Sequence, residues 1–461
     1  RIKFVNLMMQ HITGIARNQM VFTSLEDPIS KDNPVRFIDA FVENIDLKTL
    51  GFELRTLKKE GRPSFDTKIF LKIYLYGYLN GLRSSRKLEK ECLRNIELQW
   101  LLCGLLPNYH SISDFRKDNP SSLKKLFKVF VSFLKDADLI AGETIAIDGT
   151  KSRAHNSKKA NFNQKKIDRH LAYIEEKTQE YLDQLAQNDA SENSITITKI
   201  QEKIERLKTN KIKYELLETK LKESGEPQIS TTDEDSRALL VQGVVVEVSY
   251  NIQAAVDDKH NLVVATHTIN RNDRNALSAI AIEAKENLEV ETFTALVDKG
   301  YHNGREITNC KEANITTIVA NPEVVNSNKN GTTQDYLVAN FVYDSATDSY
   351  QCPQGETLKT TGKWHKKSGR TEQSGYQFKK YRTPACKECP AKSLCTSRSG
   401  GRELDRSEYA DAVEENNQRY RENGQLYRRR QEINEHIFGT IKRQWGYNHT
   451  NLTGLEKVNG E

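Results

Sequence analysis

The sequence predicts an α/β protein: a mixed sheet with helices on its faces, preceded by an all-helical domain and interrupted by a helical hairpin and a cysteine-bearing insertion. Three observations lead there. In the first third, apolar residues recur at three- and four-residue intervals, the spacing of a helix face. From Thr144 onward, short runs rich in Ile, Val and Thr alternate with helical patterns, the order expected of a sheet covered by helices. Two of those runs end alike, T-I-A-I-D-G-T at Thr144 to Thr150 and T-F-T-A-L-V-D-K-G-Y at Thr292 to Tyr301, each delivering an acid and a glycine from a buried strand. An acid at the carboxyl end of a strand lies where α/β sheets hold ligands, whereas turn preferences alone would make Asp148 an ordinary strand-terminating residue.

A helical domain is predicted over about 34–138. Val35 to Ile38 leads into Phe41, Val42 and Ile45, and Gly61, Arg62, Pro63 and Ser64 break the chain before an apolar segment at Phe70 to Leu82. Ser84 and Ser85 are placed to cap the next helix, which carries Leu88, Cys92 and Ile96 and runs on toward Leu102. Ser113 is placed to cap a short helix with Phe115 and Arg116. Behind Ser121 and Ser122, residues Leu123, Leu126, Phe127, Phe130, Val131 and Leu134 make the clearest amphipathic helix. Short helices with basic turns suit a helix-turn-helix-like DNA-binding unit, with Arg83, Arg86 and Lys87 on phosphates, and equally a bundle used for assembly.

The α/β domain is predicted over about 143–452, its first strand ending at Asp148. Lys151 to Asn161 is basic and polar with no apolar period, which suits a loop beside a phosphate backbone. Over 164–223, Ile167, Leu171, Ile174, Tyr181 and Leu185 are answered by Ile197, Ile200, Ile204, Leu207, Tyr214 and Leu221 beyond a polar turn at Asn188 to Ser194. That spacing predicts an antiparallel helical hairpin, either an arm for dimer or DNA contacts or a solvent-facing spacer. The sheet resumes at Val244 to Val256, turns at Asp257 to Asn261 and returns at Leu262 to Ile269. Asn272 or Asp273 is placed to cap a helix through Ala276, Ala279, Ile280 and Ala284. The Asp298 strand, a helix near Arg305 to Ala313 and a strand at Ile315 to Ala320 follow. Tyr427 to Arg443 is a polar helix with two candidate acids, Glu432 and Glu435. Two strand-end aspartates and a helical glutamate are three hard oxygen donors, a set that favours Mg²⁺ or Mn²⁺ over zinc.

Apolar residues make up 37% and charged residues 29% of the 461, a balance that excludes a disordered chain and suits long polar helices on a folded one. A net charge of +6 is too small to argue for nucleic acid by itself. Local clusters carry that case, at Lys158-Lys159, Lys165-Lys166, Lys366-Lys367, Lys379-Lys380 and Arg428 to Arg430. No run approaches the ~18 apolar residues of a membrane span and no signal-peptide core opens the chain, so a cytoplasmic protein without a membrane partner is expected.

Several strings taken together carry a resemblance. They are D-N-P-V-R-F-I-D-A-F-V near the start, G-R-P-S-F-D and R-S-S-R-K-L-E-K-E-C in the helical part, and I-A-I-D-G-T-K around Asp148. They continue with Y-N-I-Q-A-A-V-D, V-D-K-G-Y-H-N-G around Asp298 and E-H-I-F-G-T-I-K-R around Glu435. The chain resembles a bacterial insertion-sequence transposase of the DDE type, in the group with an N-terminal helical domain and a cysteine-bearing segment before the last acid. Acids on the first strand, the fourth strand and a late helix also follow the order of the ribonuclease-H-like fold. The resemblance implies that Asp148, Asp298 and Glu435 are the catalytic triad and hold two Mg²⁺ or Mn²⁺ ions. Tyr427, Arg430 and Lys442 correspond to the tyrosine, arginine and lysine that the family keeps around its glutamate, and Arg428 and Arg443 join them as DNA contacts. At about 100° per residue, Tyr427, Arg428 and Lys442 lie near the face of Glu435, while Arg430 is turned away from it. Glu435 is preferred to Glu432 because its distance in sequence from Lys442 reproduces the family spacing.

Three carboxylates brought together raise one another's pKa and are stable as anions chiefly when a divalent cation compensates them. Two ions about 3.5 to 4 Å apart activate water on one side of a phosphodiester and stabilise the leaving 3′ oxygen on the other. The expected function is therefore binding of insertion-sequence ends, 3′-end cleavage and strand transfer. The expected partners are double-stranded DNA, as terminal inverted repeats and target, and further copies of the chain in a homo-oligomer on DNA at the bacterial nucleoid. Two readings stand beside it: a catalytically inactive, transposase-derived DNA-binding protein, and a DDE nuclease without strand transfer. The chain begins at Arg1 rather than Met and ends at Glu461, soon after Gly446 and Tyr447, so missing upstream residues (or a start at Met8 or Met9) and a truncated copy are expectations about its ends.

The cysteines divide in two. Cys92, Cys103 and Cys310 fall in apolar or helical contexts and are expected to be buried. Cys352 and the Cys-x2-Cys-x5-Cys string Cys386, Cys389 and Cys395 could close a structural Zn²⁺ site in an insertion over about 324–408, which without zinc is read as an insertion that touches DNA.

Overall fold

The computed structural model describes residues 15–52, 64–188, 194–241, 245–322, 332–369 and 375–461. The chain break expected at Gly61 to Pro63, the heart of the turn at Asn188 to Ser194, the strand start at Val244, the first residues of 324–408 and the alternative starts Met8 and Met9 lie outside them. The chain forms two compact units that meet in sequence between Ser122 and Leu123.

In the first unit, α1 (Pro34–Glu43) opens on a proline, whose missing N–H is harmless in a first turn, and Asn33 caps it by accepting from the Val35 amide. α2 (Thr67–Leu79), capped by Asp66, buries Phe70, Leu71, Ile73 and Tyr74. The helix expected to run unbroken past Ile96 is two helices, α3 (Ser85–Arg94) and α4 (Ile96–Leu101). Asn95 between them takes an extended backbone and accepts from the amides of Glu97 and Leu98, so a capping side chain ends one helix by starting the next. Ser84 precedes α3 but makes no side-chain cap. α5 (Tyr109–Asp118) starts behind Asn108, which caps it, so Ser113 lies inside the helix and not at its start. Phe52, Phe70 and Tyr74 all stack on Phe115 at ring distances of 5.8, 5.6 and 6.0 Å, forming the centre of this unit. Cys92 is buried as expected; Cys103, in a left-handed backbone at φ 51° where α4 has ended, is exposed. α6 (Pro120–Asp136) begins on its proline, with Ser121 and Ser122 in the first turn and not capping it.

The second unit continues with β1 (Thr144–Arg153), β2 (Asn161–Phe162), α7 (Gln164–Asn188), α8 (Ser194–Ser224), β3 (Ile229–Ser230) and β4 (Arg237–Val241). β5 (Val245–Asp257), β6 (Val263–Ile269), α9 (Leu277–Leu288), β7 (Phe293–Val297), α10 (Gly304–Glu312) and β8 (Ile315–Val319) follow. Among the described residues, six strands make one mixed sheet in the order β4-β5-β1-β7-β8, with β6 also on β5. β1 runs parallel to β7 and antiparallel to β5. β1 does not stop at Asp148. Its pairing with β7 ends at Ile147 opposite Val297, while its pairing with β5 runs on to Arg153 opposite Ser249. Asp148 thus stands where one edge of the strand loses its neighbour, and Lys151, expected in a loop, is still in the ladder. α7 and α8 pack through Ile167, Leu217 and Leu221, closed below by Phe162 and Ile229 of the β2–β3 pair.

One face of the sheet, with Ile145, Ile147, Ala295 and Val297, is covered by α9 and α10 through Leu277, Ile280, Ala284 and Ile307 and by Val131 of α6. The cysteine-bearing segment is not irregular. β9 (Val342–Asp344), β10 (Ser349–Gln351), β11 (Thr357–Lys367), β12 (Tyr376–Arg382) and β13 (Glu403–Ser407) form a five-stranded antiparallel sheet around Tyr350, Leu358, Tyr381 and Leu404, with α11 (Lys392–Cys395) before its last strand. α12 (Ala410–Glu422) and α13 (Gly424–Gly439) return to the first sheet, where Ile433, Tyr427 and Ile437 cover Ala146, Val256, Leu296 and Ile318 on its second face. A π turn at Thr440–Gln444 and α14 (Leu455–Asn459) complete the described chain.

Candidate active site

The parallel pairing of β1 with β7 sets the Asp148 and Asp298 ends side by side, and α13 lies across them. Arg430 of α13 fills the space between the two acids. Its Nη1 donates to Asp148 Oδ2 at 3.1 Å and its Nη2 stands 3.8 Å from Asp298 Oδ1. The Gly149 amide donates to the other oxygen, Asp148 Oδ1, at 2.7 Å. Burial pushes the Asp148 carboxyl above its ordinary pKa; Gly149 and Arg430 oppose that shift, and the charges of Asp298 and Asp273 add to it. Burial works against the Arg430 charge, yet Asp148, Tyr427 and Asp298 outweigh it and raise the guanidinium further. Tyr427, raised by burial, sits with its ring 5.9 Å from that guanidinium.

Glu435 is not brought to the aspartates. It is exposed, and its Oε1 accepts from Gln431 Nε2 of the same helix at 2.7 Å. Glu432 is exposed as well. Arg430 turns away from Glu435 as the helical wheel expects, but it is the Arg430 face and not the Glu435 face that lies at the acids. A wheel drawn from Glu435 ignores what sets the rotation of the helix, the burial of Ile433 with Ile437 against the sheet. Asn434 is fully buried beside them, its amide oxygen and nitrogen both without a partner. Lys442, in the π turn, donates to the Lys151 carbonyl at 2.7 Å, and burial followed by the Lys151 charge pushes its ammonium pKa down. Arg428 and Arg443 are exposed.

One buried polar cluster beside the acids was missed by sequence reasoning. Asp273, expected with Asn272 to cap a helix, caps nothing: α9 starts behind Ala276 without a side-chain cap. The carboxylate instead accepts from Asn251 Nδ2 at 2.7 Å and Gln253 Nε2 at 3.0 Å, and pairs with Lys151 Nζ at 2.9 Å. Burial alone would raise its pKa; these donors reverse the sign and hold it low. The available signal was the alternation of Ser249, Asn251 and Gln253 in a largely apolar stretch of strand, since three fully buried polar residues on one strand need partners.

Among the described residues, no group of three or more His, Cys, Asp or Glu side chains is placed to hold a metal ion. Asp148 and Asp298 supply hard oxygen donors around one cation, Arg430; the expected third acid, Glu435, is not with them. Cys352, Cys386, Cys389 and Cys395 are free thiols of intermediate exposure. Burial raises the Cys395 thiol, Arg402 opposes that, and the charges of Cys386, Cys352 and Cys389 add to it, so those three lie within electrostatic reach of Cys395.

Two family models match the chain. One, described as Transposase domain (DUF772), covers residues 23–118 and therefore α1 to α5; the other, described as Transposase DDE domain, covers 351–461. The second includes most of the antiparallel sheet and all of α12 and α13, and thus Arg430, Glu435 and Lys442, while Asp148 and Asp298 lie outside it. No curated protein and no solved structure gives a significant match.

Proposed function

Because the chain is an insertion-sequence DDE transposase, a metal-dependent enzyme of transposition, we propose that it binds the terminal inverted repeats of its element, cleaves the 3′ ends and transfers them to target DNA. The observation that carries this reading is the guanidinium of Arg430 lodged between Asp148 and Asp298. Two carboxylates facing one monovalent cation are arranged as they would be around a divalent one, and their mutual repulsion is what such an ion relieves. Asp148 and Asp298 would hold the metal, with Glu435 of α13 as the third donor, and a ribonuclease-H-like sheet is the frame this arrangement fits. Bound there, a pair of Mg²⁺ or Mn²⁺ ions supplies Lewis acidity and a nucleophile at neutral pH. The chain's own residues do the rest. Arg430, once released from the acids, has its fork free for a phosphate, and Tyr427 supports it from below. Lys442, Arg428 and Arg443 hold the backbone without reading sequence.

The helices over 34–138 serve in this reading as the DNA-binding or assembly domain, beside a catalytic domain over 143–452 that carries the 164–223 hairpin and the 324–408 insertion. The active species is a homo-oligomer on DNA, in the cytoplasm at the nucleoid; among the described residues no helix is long and apolar enough to cross a membrane. For the insertion we propose a structural Zn²⁺ on Cys352, Cys386, Cys389 and Cys395. Thiols are the donors zinc selects, although these four must draw in to ligate it.

One observation favours a second reading, a silent DNA-binding protein: Glu435 stands apart from the aspartates. Mg²⁺-dependent cleavage of a labelled terminal-repeat DNA, compared with Asp298→Ala, decides between them. Cleavage and joined products lost in the variant support transposition; hydrolysis without joining points to a nuclease; binding without cleavage by either protein overturns the catalytic reading.

A further inference from the structure

One hairpin of the antiparallel sheet concentrates the chain's positive charge. Residues 357–382, which hold β11 and β12, include eight Lys or Arg and one acid, an excess larger than the +6 of the whole chain. A surface kept soluble by its charges mixes both signs, so this segregation calls for an anionic partner. The hairpin also outgrows its sheet. β10 pairs with β11 only over Thr357 to Lys359, and β13 pairs with β12 only from Phe378 onward. Lys366 and Lys367, opposite Gln377 and Tyr376, therefore lie in a two-stranded ribbon with no other described strand beside it. Rings steady it across the strands: His365 and Tyr376 stand 5.6 and 6.2 Å from Phe378, on the face turned away from the buried Tyr381. Its base is fixed as well. Arg305 of α10 donates to the Gly375 carbonyl at 2.6 Å and to the Tyr409 hydroxyl at 3.0 Å, and α10 follows the turn that Asp298 begins.

The cations of the hairpin divide by position. Lys379 pairs with Asp348 at 2.7 Å, while Lys380, Arg382 and Arg398 share the single carboxylate of Glu403. Lys363, Lys366 and Lys367 are exposed and enter no ion pair among the described residues. Adjacent residues of a strand point to opposite faces, so Lys366 and Lys367 set one ammonium on each side of the ribbon. A two-stranded ribbon is one of the elements that the major groove of B-DNA admits, and a phosphate backbone walls that groove on each side. We propose that the β11–β12 ribbon docks in the major groove of a DNA duplex, with Lys366 and Lys367 on phosphates of the two strands and Lys363 on the backbone beside them. Through Arg305 the duplex is then held at a set reach from Asp298. This rests on the reading of the chain as an enzyme acting on duplex DNA, and assigns the insertion a contact separate from those of α13.

The test is fluorescence anisotropy of the full chain with a labelled duplex of mixed sequence, and with one of its strands alone, over a series of salt concentrations. Lys363→Gln/Lys366→Gln/Lys367→Gln is expected to weaken duplex binding about tenfold or more, and to lower the slope of log affinity against log salt by about 2 to 3. Lys199→Gln/Lys208→Gln/Lys213→Gln removes the same charge from exposed positions of α8 and is expected to stay within about threefold of wild type. An unchanged slope in the ribbon variant overturns the inference, and so does an equal loss in the α8 variant, since net charge alone would then explain the binding; the reading of the enzyme stands in both cases. A single strand bound more tightly than the duplex through the same three lysines also overturns it, making the ribbon a platform for unpaired bases. If the wild-type chain binds no duplex, the reading of the enzyme fails and the inference falls with it. Exposed lysines bear little packing, so the ribbon variant should melt like wild type. Should it not, Lys366→Gln alone decides: it is expected to lower the salt slope by about 1, and an unchanged slope overturns the proposal.

Discussion

Arg430 Nη1 donates to Asp148 Oδ2 across 3.1 Å, tying the late helix α13 to the first strand of the sheet through a charge pair whose side chains are 15% and 31% exposed. In the proposed reading, a guanidinium in that position stands in for the metal while none is bound. Arg430→Gln should therefore destabilise the protein in EDTA by about 1–2 kcal/mol, less than a fully buried pair because water still reaches Asp148. Millimolar Mg²⁺ should recover most of that loss. Thermal melts of both proteins with and without Mg²⁺ check this; equal melting temperatures in EDTA, or a loss that Mg²⁺ leaves untouched, would rule out the placeholder role.

A pH dependence follows from Asp148. Burial raises its folded pKa above the ordinary value, so between the two values the folded state binds more protons than the unfolded one. Stability then falls as pH rises through that window, and the penalty is fully present above the raised pKa. Chelated wild-type protein should lose stability from about pH 4 upward, and Asp148→Asn should flatten that slope. A series of urea melts from pH 4 to 7 reads it directly; an unchanged slope in the variant would assign the effect to another group.

Part of this arrangement was legible in the sequence: the acid-glycine segments at Asp148 and Asp298 follow β-branched runs, and the parallel pairing of β1 with β7 does bring them side by side, although turn preferences alone would have made either an ordinary turn residue. What escaped was set by pairing partners far away. Asp148 lies mid-strand because β5 continues past β7, a fact of register that neither strand encodes alone. Asp273 reads as a cap since Asn-Asp before an apolar period usually is one, and only the buried amides of Asn251 and Gln253 divert it. The antiparallel sheet of β9 to β13 was hidden by strands with charged, half-exposed faces, such as Lys379 and Lys380 beside the buried Tyr381.

Glu435 and Glu432 separate by chemistry even though both are exposed. With Glu435 as the third acid, Glu435→Ala should lower Mg²⁺-dependent cleavage of terminal-repeat DNA by at least about 10²-fold, the order expected for loss of an electrostatic catalytic group, with gel-shift binding unchanged. Glu432→Ala should stay within about threefold of wild type. The reverse ranking would transfer the role to Glu432.

Gly149→Ala tests the packing behind Asp148. Its Cβ would meet Gln253 Nε2 at 2.3 Å and Asp273 Oδ1 at 2.6 Å, both fixed by further bonds, so the strand must shift at a cost of about 1–3 kcal/mol. Gly300→Ala is the control: its nearest contact, Asp298 Oδ2 at 3.8 Å, is an ordinary one, and it should be close to neutral. Melting temperatures of the two variants, with cleavage assayed well below both, distinguish a local displacement of Asp148 from general loss of fold. Similar behaviour of the two would remove the special role of the 149 position.

The four thiols of the insertion make the last prediction. Cys352 and Cys395 pack against the aromatic centre of the antiparallel sheet, so an ion that draws Cys386 and Cys389 toward them would fasten the turn at Pro384–Lys387 and α11 to that centre. Protein purified without chelator should carry one zinc per chain by elemental analysis, and Cys389→Ser should abolish it while lowering the melting temperature. Thiolates must form for the ion to bind, and burial already resists ionisation at Cys395, so zinc should be lost as pH falls, with release of the metal followed by a chromogenic chelator. Protein that melts identically before and after zinc removal, or that carries none as purified, would leave the sheet held by Tyr350, Leu358, Tyr381 and Leu404 alone.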